Sequence, residues 1–291
     1  MKPRTALMRA RRPLAATLVL VPLALAGCSS ATPPPSPASA AAASHVHGIT
    51  VEPVTTKILI ATHDGLYDAS KKTPVKVSDT IDLMGFTPTA EPNVFYASGH
   101  PGQGSSLPNP VGLIRSTDAG KTWKPVSRGG QSDFHALTAT GGGLVAFDGQ
   151  LRTSTDGTSW ENSTATFTPA GLAGSPASTV VLATTQEGMQ RSTDGGKTWK
   201  LVPGSPVIQF AAMATSVEKA PTEAVGVTPN GTVHVSSDAG LTWSATGKIS
   251  GQVEAVTAQE GSAGKPWIWA ATTDGVQVST DGGATFRPAA S

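Results

Sequence analysis

Short stretches in which apolar and polar residues alternate fill the chain from His45 to Ser291. Gly, Asp, Asn or Pro residues separate these stretches, as is typical of β-strands joined by tight turns. The first four predicted strands cover residues 45–51, 57–62, 66–70 and 74–77. Because the arrangement recurs along the chain, it predicts an all-β fold made of repeated groups of four strands.

A nine-residue pattern at 191–199, Arg-Ser-Thr-Asp-Gly-Gly-Lys-Thr-Trp, sets the period of these groups. Successive copies are 38, 38, 44 and 43 residues apart, and they begin at Ser116, Ser154, Ser192, Ser236 and Ser279. This spacing is close to the roughly 40–45 residues of a four-stranded propeller blade. The 247 residues at 45–291 therefore predict a six-bladed β-propeller of four-stranded blades.

Each copy of the pattern is expected to form the turn between the third and fourth strands of a blade. The Asp carboxylate can accept backbone N–H groups across the turn, and the Gly can adopt the positive φ that the turn requires. The aromatic residue begins the next strand and buries its ring. We interpret these residues as structural, including the aspartates Asp118, Asp156, Asp194, Asp238 and Asp281.

The pattern is the BNR repeat, or Asp-box, and the chain resembles bacterial sialidase-like and photosystem-assembly-factor-like propellers. A sialidase would need an arginine triad, a Tyr nucleophile paired with Glu, and an Asp acid/base. Here Arg115, Arg152 and Arg191 are predicted on third strands, away from the channel, and Tyr67 and Tyr96 on outer strands. The Phe/Tyr-Arg-Ile-Pro motif of that family is missing. The resemblance therefore implies the fold and a glycosyl hydrolase-like relationship, but its catalytic residues are not carried over.

The first 27 residues have the features of a bacterial signal peptide. Five basic residues precede an apolar run that is shorter than a typical transmembrane helix. The run ends in Leu-Ala-Gly-Cys, which resembles a lipobox with Cys28 as the site of lipid attachment. We expect an exported protein that is anchored by lipid to the extracytoplasmic face of the cell membrane, whether exported by the Sec or the Tat route.

Residues 28–44 consist of the lipidated Cys and a stretch rich in Pro, Ala and Ser, which predicts a disordered tether. Cys28 is the only cysteine, so a disulfide within the chain is excluded. Without residues 1–27, 16 basic and 20 acidic side chains remain, a net charge of −4. Nucleic-acid binding favours a basic stripe, so we do not expect a nucleic-acid partner.

In a meander of four strands, the start of the first strand and the turn after the second strand lie at one end of the blade. The Asp-box lies at the other end, so a functional site is expected opposite the boxes. Aligned first strands place His47, Met84, His135 and Glu254 at one equivalent position. They place His45, Asp82, Asp133 and Gln252 two residues earlier. Alternate residues share a side of a strand, so both sets should surround one end of the central channel.

Imidazole and carboxylate groups at close range are typical ligands of zinc or copper. We predict His45, His47 and His135 as metal ligands, with Met84, His63 and His100 as further candidates. His234 falls outside this set, on a third strand. The alternative is a polar, water-filled channel without a metal ion.

Two functions remain open from the sequence. The first is a binding or assembly module whose channel face holds a metal ion, a small ligand, a cell-envelope protein or a glycan. The second is a sialidase-like glycoside hydrolase that uses Asp82, Asp133 and Glu254 as catalytic carboxylates. Five histidines on one face favour the first function, because a glycosidase has little use for them.

Overall fold

The computed structural model describes residues 44–53, 55–215 and 221–290. These residues form six sheets, and each sheet contains four antiparallel strands in sequence order. The predicted all-β, six-bladed propeller is therefore confirmed. Every blade is built from four consecutive strands, so no blade takes a strand from the other end of the chain.

The first three blades cover the chain up to residue 162. Blade one consists of β1 (Val46–Val51), β2 (Ile58–Thr62), β3 (Gly65–Asp68) and β4 (Val75–Lys76). Blade two consists of β5 (Ile81–Pro88), β6 (Phe95–Pro101), β7 (Leu113–Ser116) and β8 (Lys124–Ser127). Blade three consists of β9 (Ala136–Thr140), β10 (Gly143–Phe147), β11 (Leu151–Ser154) and β12 (Glu161–Asn162).

The last three blades follow the same plan. Blade four consists of β13 (Gly171–Ser175), β14 (Ser178–Thr185), β15 (Gly188–Ser192) and β16 (Lys200–Leu201). Blade five consists of β17 (Phe210–Met213), β18 (Ala224–Val227), β19 (Thr232–Ser236) and β20 (Ser244–Lys248). Blade six consists of β21 (Val253–Gln259), a 3-10 turn (Ser262–Gly264), β22 (Trp267–Thr272), β23 (Gly275–Ser279) and β24 (Arg287–Pro288).

The first strands of the blades form the inner ring of the propeller. Each one contacts the first strand of the next blade, and β21 of blade six contacts β1 of blade one. Apolar residues fill the seams between blades. Leu59 and Leu66 of blade one cluster with Leu83 of blade two, and Val46 clusters with Trp269 of blade six. Burial of apolar side chains between neighbouring sheets therefore closes the ring.

The Asp-boxes form the turns between third and fourth strands, as predicted. In the first box, the Thr122 hydroxyl donates to Asp118 Oδ2 at 2.6 Å, and the Ser116 hydroxyl donates to Asp118 Oδ1 at 2.8 Å. The backbone N–H of Gly120, whose φ is +81°, donates to Ser116 Oγ. The same Ser–Asp–Thr contacts recur at Asp194, Asp238 and Asp281. The boxes are therefore structural turns.

The predicted signal peptide, the lipid attachment site Cys28 and almost all of the predicted tether lie outside the described residues. Within the described ranges, no helix combines the length and the apolar character needed to cross a membrane.

Candidate functional site

Five of the six histidines collect at one end of the propeller because of the blade topology. First strands begin at this end, and the turns between second and third strands lie there, whereas the Asp-boxes lie at the opposite end. His63 follows β2, and His100 is the penultimate residue of β6. His47 lies in β1 close to its start. We call this end of the propeller the channel face.

Three first strands contain a β-bulge near the channel face. In β1, Val46 pairs with Thr62 and Gly48 pairs with Ala61, which leaves His47 unpaired. Met84 in β5 and Glu254 in β21 occupy the corresponding bulge positions. A bulge re-aims a side chain, and bulges are frequent beside active sites.

His47, His63 and Asp82 form the tightest group of potential metal ligands among the described residues. One ligand atom from each lies within 4.8 Å of the other two. His47 Nε2 is 3.1 Å from His63 Nε2 and 3.2 Å from His63 Nδ1. His63 Nδ1 lies 2.9 Å from Asp82 Oδ1, a contact between blade one and blade two. The group therefore joins two imidazoles and one carboxylate across a blade seam.

His45 extends this group toward blade six. Its Nδ1 atom lies 2.8 Å from Glu254 Oε1, and the other Glu254 oxygen accepts the backbone N–H of Val46 at 3.3 Å. The His45 and His47 rings meet edge to face, with ring centroids 5.0 Å apart. The His45 side chain is 51% exposed, whereas that of Glu254 is only 10% exposed. A nearly buried carboxylate thus positions an accessible imidazole.

A second group of histidines lies on the blade-three side of the channel face. His100 Nε2 is 3.0 Å from Asp133 Oδ2, and His135 Nε2 is 3.4 Å from the same oxygen. His100 Nδ1 faces the side-chain oxygen of Asn109 at 2.8 Å. This group again pairs a histidine from the end of a second strand with an aspartate from the next blade.

His47 has the most perturbed pKa of the histidines. Burial lowers its pKa, and the positive charges of His63, His45 and His135 lower it further, to about 4. At neutral pH the His47 imidazole is therefore uncharged and carries a lone pair. That is the form in which histidine binds metal ions.

The channel itself is a cavity of about 200 Å³ at the propeller axis. All six blades contribute residues to its wall, and His47, Met84, His135 and Glu254 are among them. This is the set that sequence alignment places at one equivalent position. Each of the three carboxylates named from the sequence contacts an imidazole in this structure: Asp82, Asp133 and Glu254.

The structure groups the histidines differently from the sequence prediction. The residue pattern predicts His45, His47 and His135 as ligands, whereas the shortest contact of His47 is with His63. Asn109, which contacts His100, was not identified. It lies in the long loop after β6, and the contact depends on the path of this loop rather than on strand periodicity. His234 lies on β19, a third strand, as expected.

The arginines expected away from the channel are found there. Arg115, Arg152 and Arg191 lie on the third strands β7, β11 and β15. The expectation for the tyrosines was only partly right. Tyr67 lies on the third strand β3, but Tyr96 lies on the second strand β6 rather than on an outer strand.

Comparison with known proteins supports the fold. The family model described as BNR/Asp-box repeat matches residues 190–201, so the chain carries this repeat. A comparison with curated protein sequences finds no significant match. Among solved structures, the GH74 enzyme of Niastella koreensis is similar with a TM-score of 0.58 and 19% identity. The GH74 xyloglucanase of Xanthomonas campestris is similar with a TM-score of 0.55 and 15% identity.

Both similarities cover 84% of this chain but only 37% and 38% of the two GH74 chains. The chain thus spans well under half the length of these enzymes. A structure of YCF48 bound to D1 peptide is similar at a TM-score of 0.41 with 14% identity, covering 69% of this chain and 79% of that chain. At these identities, the likeness to the GH74 enzymes describes the propeller fold alone.

Proposed function

We propose that this chain is a binding module that holds a divalent transition-metal ion, zinc or copper, on its channel face. His47 and His63 would supply the nitrogen ligands, and Asp82 the nearby carboxylate. The observation that carries this proposal is the approach of His47 Nε2 to within 3.1 Å of His63 Nε2. A metal ion bound to these residues would explain why histidines are concentrated on the channel face.

The spacing of the ligand atoms matches a metal site. Zinc binds histidine nitrogen at about 2.0–2.1 Å in tetrahedral geometry, which places two such nitrogens about 3.3 Å apart. His47 Nε2 and His63 Nε2 are separated by 3.1 Å. The two ring planes are nearly perpendicular, and His47 Nε2 is almost equidistant from both nitrogens of His63. The His63 ring would therefore turn so that one of its lone pairs faces the ion.

The surroundings of the ligands support the same proposal. Histidines that bind metal ions commonly donate their second N–H to a carboxylate, which fixes the ring and its tautomer. Asp82 is placed to do this for His63, and Glu254 does the equivalent for the neighbouring His45. His47 is already neutral at pH 7, since its pKa is about 4, so it can bind a metal ion without first releasing the imidazolium proton.

Metal content tests the proposal. The full chain, purified without a polyhistidine tag, is dialysed against Zn²⁺ or Cu²⁺ and then against metal-free buffer, and bound metal is measured by mass spectrometry. We expect the His47→Ala/His63→Ala variant to lose an ion that the wild type retains. His234→Ala is the matched control, because it removes an imidazole outside the channel face. Equal metal content in the wild type and the double variant would refute the proposal.

A hydrolase acting through Asp82, Asp133 and Glu254 is the second candidate. It is supported by the location of these carboxylates at the channel face and by the fold similarity to two GH74 enzymes. Turnover of aryl glycosides or xyloglucan by the wild type, abolished in Asp133→Asn and Glu254→Gln, would favour it. Absence of turnover above the level of these variants would exclude it for the substrates assayed.

We also propose that lipid attached to Cys28 holds the propeller at the extracytoplasmic face of a cell membrane. The support is the lipobox-like sequence at 25–28. Metabolic labelling with an alkyne fatty acid should label the wild type and not Cys28→Ser. Such an anchor would place the channel face within reach of cell-envelope partners.

A further inference from the structure

We infer that the channel face holds a second cation site, formed by His100, Asp133 and His135 at the seam between blades two and three. Its ligand would be a divalent transition-metal ion of the same class as at the first site. This second site goes beyond the proposed function, because it is formed by different residues and depends on different contacts.

The histidine–aspartate pair of the second site repeats that of the first site one blade further on. His63 at the end of β2 contacts Asp82 of blade two, with 2.9 Å between Nδ1 and Oδ1. His100 near the end of β6 contacts Asp133, just before blade three, with 3.0 Å between Nε2 and Oδ2. In both cases a histidine from one blade meets an aspartate that precedes or begins the next blade. The two pairs are therefore related by the blade repeat.

The hydrogen-bond partners of His100 leave room for a cation. Nδ1 lies 2.8 Å from Asn109 Oδ1, which accepts hydrogen bonds, so Nδ1 carries a ring proton. When the ring is neutral, Nε2 presents its lone pair to the Asp133 carboxylate at 3.0 Å. Two acceptors at that distance repel each other unless a positive charge lies between them, either a proton or a metal ion.

His135 presents the same chemistry to the same oxygen. Its Nδ1 atom is 3.3 Å from the backbone carbonyl of Asp133, which can only accept, and its Nε2 atom is 3.4 Å from Asp133 Oδ2. Lone pairs from two imidazoles therefore converge on one carboxylate oxygen. The His135 side chain is 60% exposed, so its ring can move to complete a coordination sphere.

Within the described part of the chain, only one oxygen of the Asp133 carboxylate has side-chain partners. Its Oδ1 atom is buried and has no hydrogen-bond partner there. A buried carboxylate oxygen without a donor is costly, and a bound cation would offset that cost. Asp133 is only 17% exposed, so it provides a fixed point for such an ion.

Metal stoichiometry separates the two sites. The full, tag-free chain is titrated with Zn²⁺ or Cu²⁺ alone, and circular dichroism monitors its fold. We expect two ions per wild-type chain, one ion in His100→Ala/His135→Ala, one in His47→Ala/His63→Ala, and two in the His234→Ala control. Asn109→Leu should lower the affinity for the second ion by roughly tenfold, the effect typical of losing a residue that orients a metal-binding histidine.

Asp133→Asn provides a second variant of nearly unchanged shape, should the double replacement impair folding. It should also lose the second ion only. If His100→Ala/His135→Ala and Asp133→Asn both retain the wild-type stoichiometry, the inference is overturned, and His100 holds a proton between its two oxygen partners. The first site is tested separately. If His47→Ala/His63→Ala binds as many ions as the wild type, the proposed function is wrong.

Discussion

Hydrogen bonds to the carboxyl group of Asp118 stabilise the turn of the first Asp-box. Thr122 donates to it through its hydroxyl and its backbone N–H, at 2.6 and 2.9 Å. The Thr122 hydroxyl contributes most to lowering the pKa of Asp118, which falls to about 2. The ionised form is therefore the one that stabilises the turn.

Acid should weaken these turns in a defined pH range. The pKa of Asp118 is lower in the folded state than its ordinary value of 3.8, so its contribution is complete above about pH 4 and is lost as the pH falls toward 2. We expect Asp118→Asn to lower the melting temperature by roughly 2–4 °C at pH 7, a modest shift because the carboxylate is partly exposed. The difference from the wild type should vanish near pH 2.

Thermal melts followed by circular dichroism at pH 7, 4, 3 and 2 measure this effect. The control is Asp79→Asn, which alters an exposed aspartate outside the boxes. A constant difference between wild type and Asp118→Asn at every pH would contradict the role given to the ionised carboxylate.

His47 offers a second test at the scale of one residue. Its pKa is lowered by burial and by the charges of His63, His45 and His135. In metal-free protein, His63→Ala should therefore raise the pKa of His47 from about 4 toward its ordinary value of 6.5, although burial keeps it below that value. Proton NMR titration of the imidazole in the presence of a chelator measures the shift. An unchanged pKa would show that the two rings do not interact in solution.

Among the elements, the bulged first strands position the channel face. Gly85 follows the bulge residue Met84 in β5, and a Cβ atom at Gly85 would lie 2.3 Å from the backbone oxygen of Phe134. Glycine is therefore required where β5 meets the segment that leads into β9. That segment also carries Asp133 and His135.

Replacing Gly85 by Ala should strain this contact between two backbones. We expect Gly85→Ala to reduce the free energy of unfolding by about 1–3 kcal/mol, as is typical of overpacking. Gly48→Ala is the matched control, because the nearest atoms to its Cβ would be those of the Phe86 side chain at 3.3 Å, a much looser contact than 2.3 Å at Gly85. Urea unfolding measures both variants, and an equal loss of stability would contradict the close approach at Gly85.

The bulges also explain what the sequence could and could not predict. The Asp-box spacing is sufficient to predict the number of blades. Strand alternation predicts that His47 and Glu254 line the channel, and both residues lie on its wall. A bulge depends on pairing with a neighbouring strand, so local sequence did not reveal that His47 is the unpaired residue of β1. For the same reason, the close contact of His47 with His63 became visible only in the structure.

For the whole molecule, stability depends on joining the last blade to the first. Trp269 of β22 is buried in the same apolar cluster as Val46, Ile49 and Ile60 of blade one, whereas Trp267 on the same strand is 43% exposed. Neighbouring blades share their apolar surface all around the ring. Opening this one seam should therefore destabilise the entire propeller rather than one blade.

A matched pair of variants tests this cooperativity. We expect Trp269→Ala to reduce the free energy of unfolding by about 3–5 kcal/mol, the cost of removing a large buried aromatic side chain. Trp267→Ala should cost much less, since its side chain is exposed. Both variants should still unfold in one transition in urea. Separate transitions in Trp269→Ala would show that the blades unfold independently.

Anomalous X-ray diffraction from crystals of the protein soaked in Zn²⁺, recorded on both sides of the zinc absorption edge, would locate a metal ion on the channel face. We expect an anomalous peak about 2.0–2.1 Å from His47 Nε2 and from a ring nitrogen of His63, beside Asp82. A channel face without an anomalous peak, or a peak only at residues outside it, would show that His47 and His63 do not hold a metal ion.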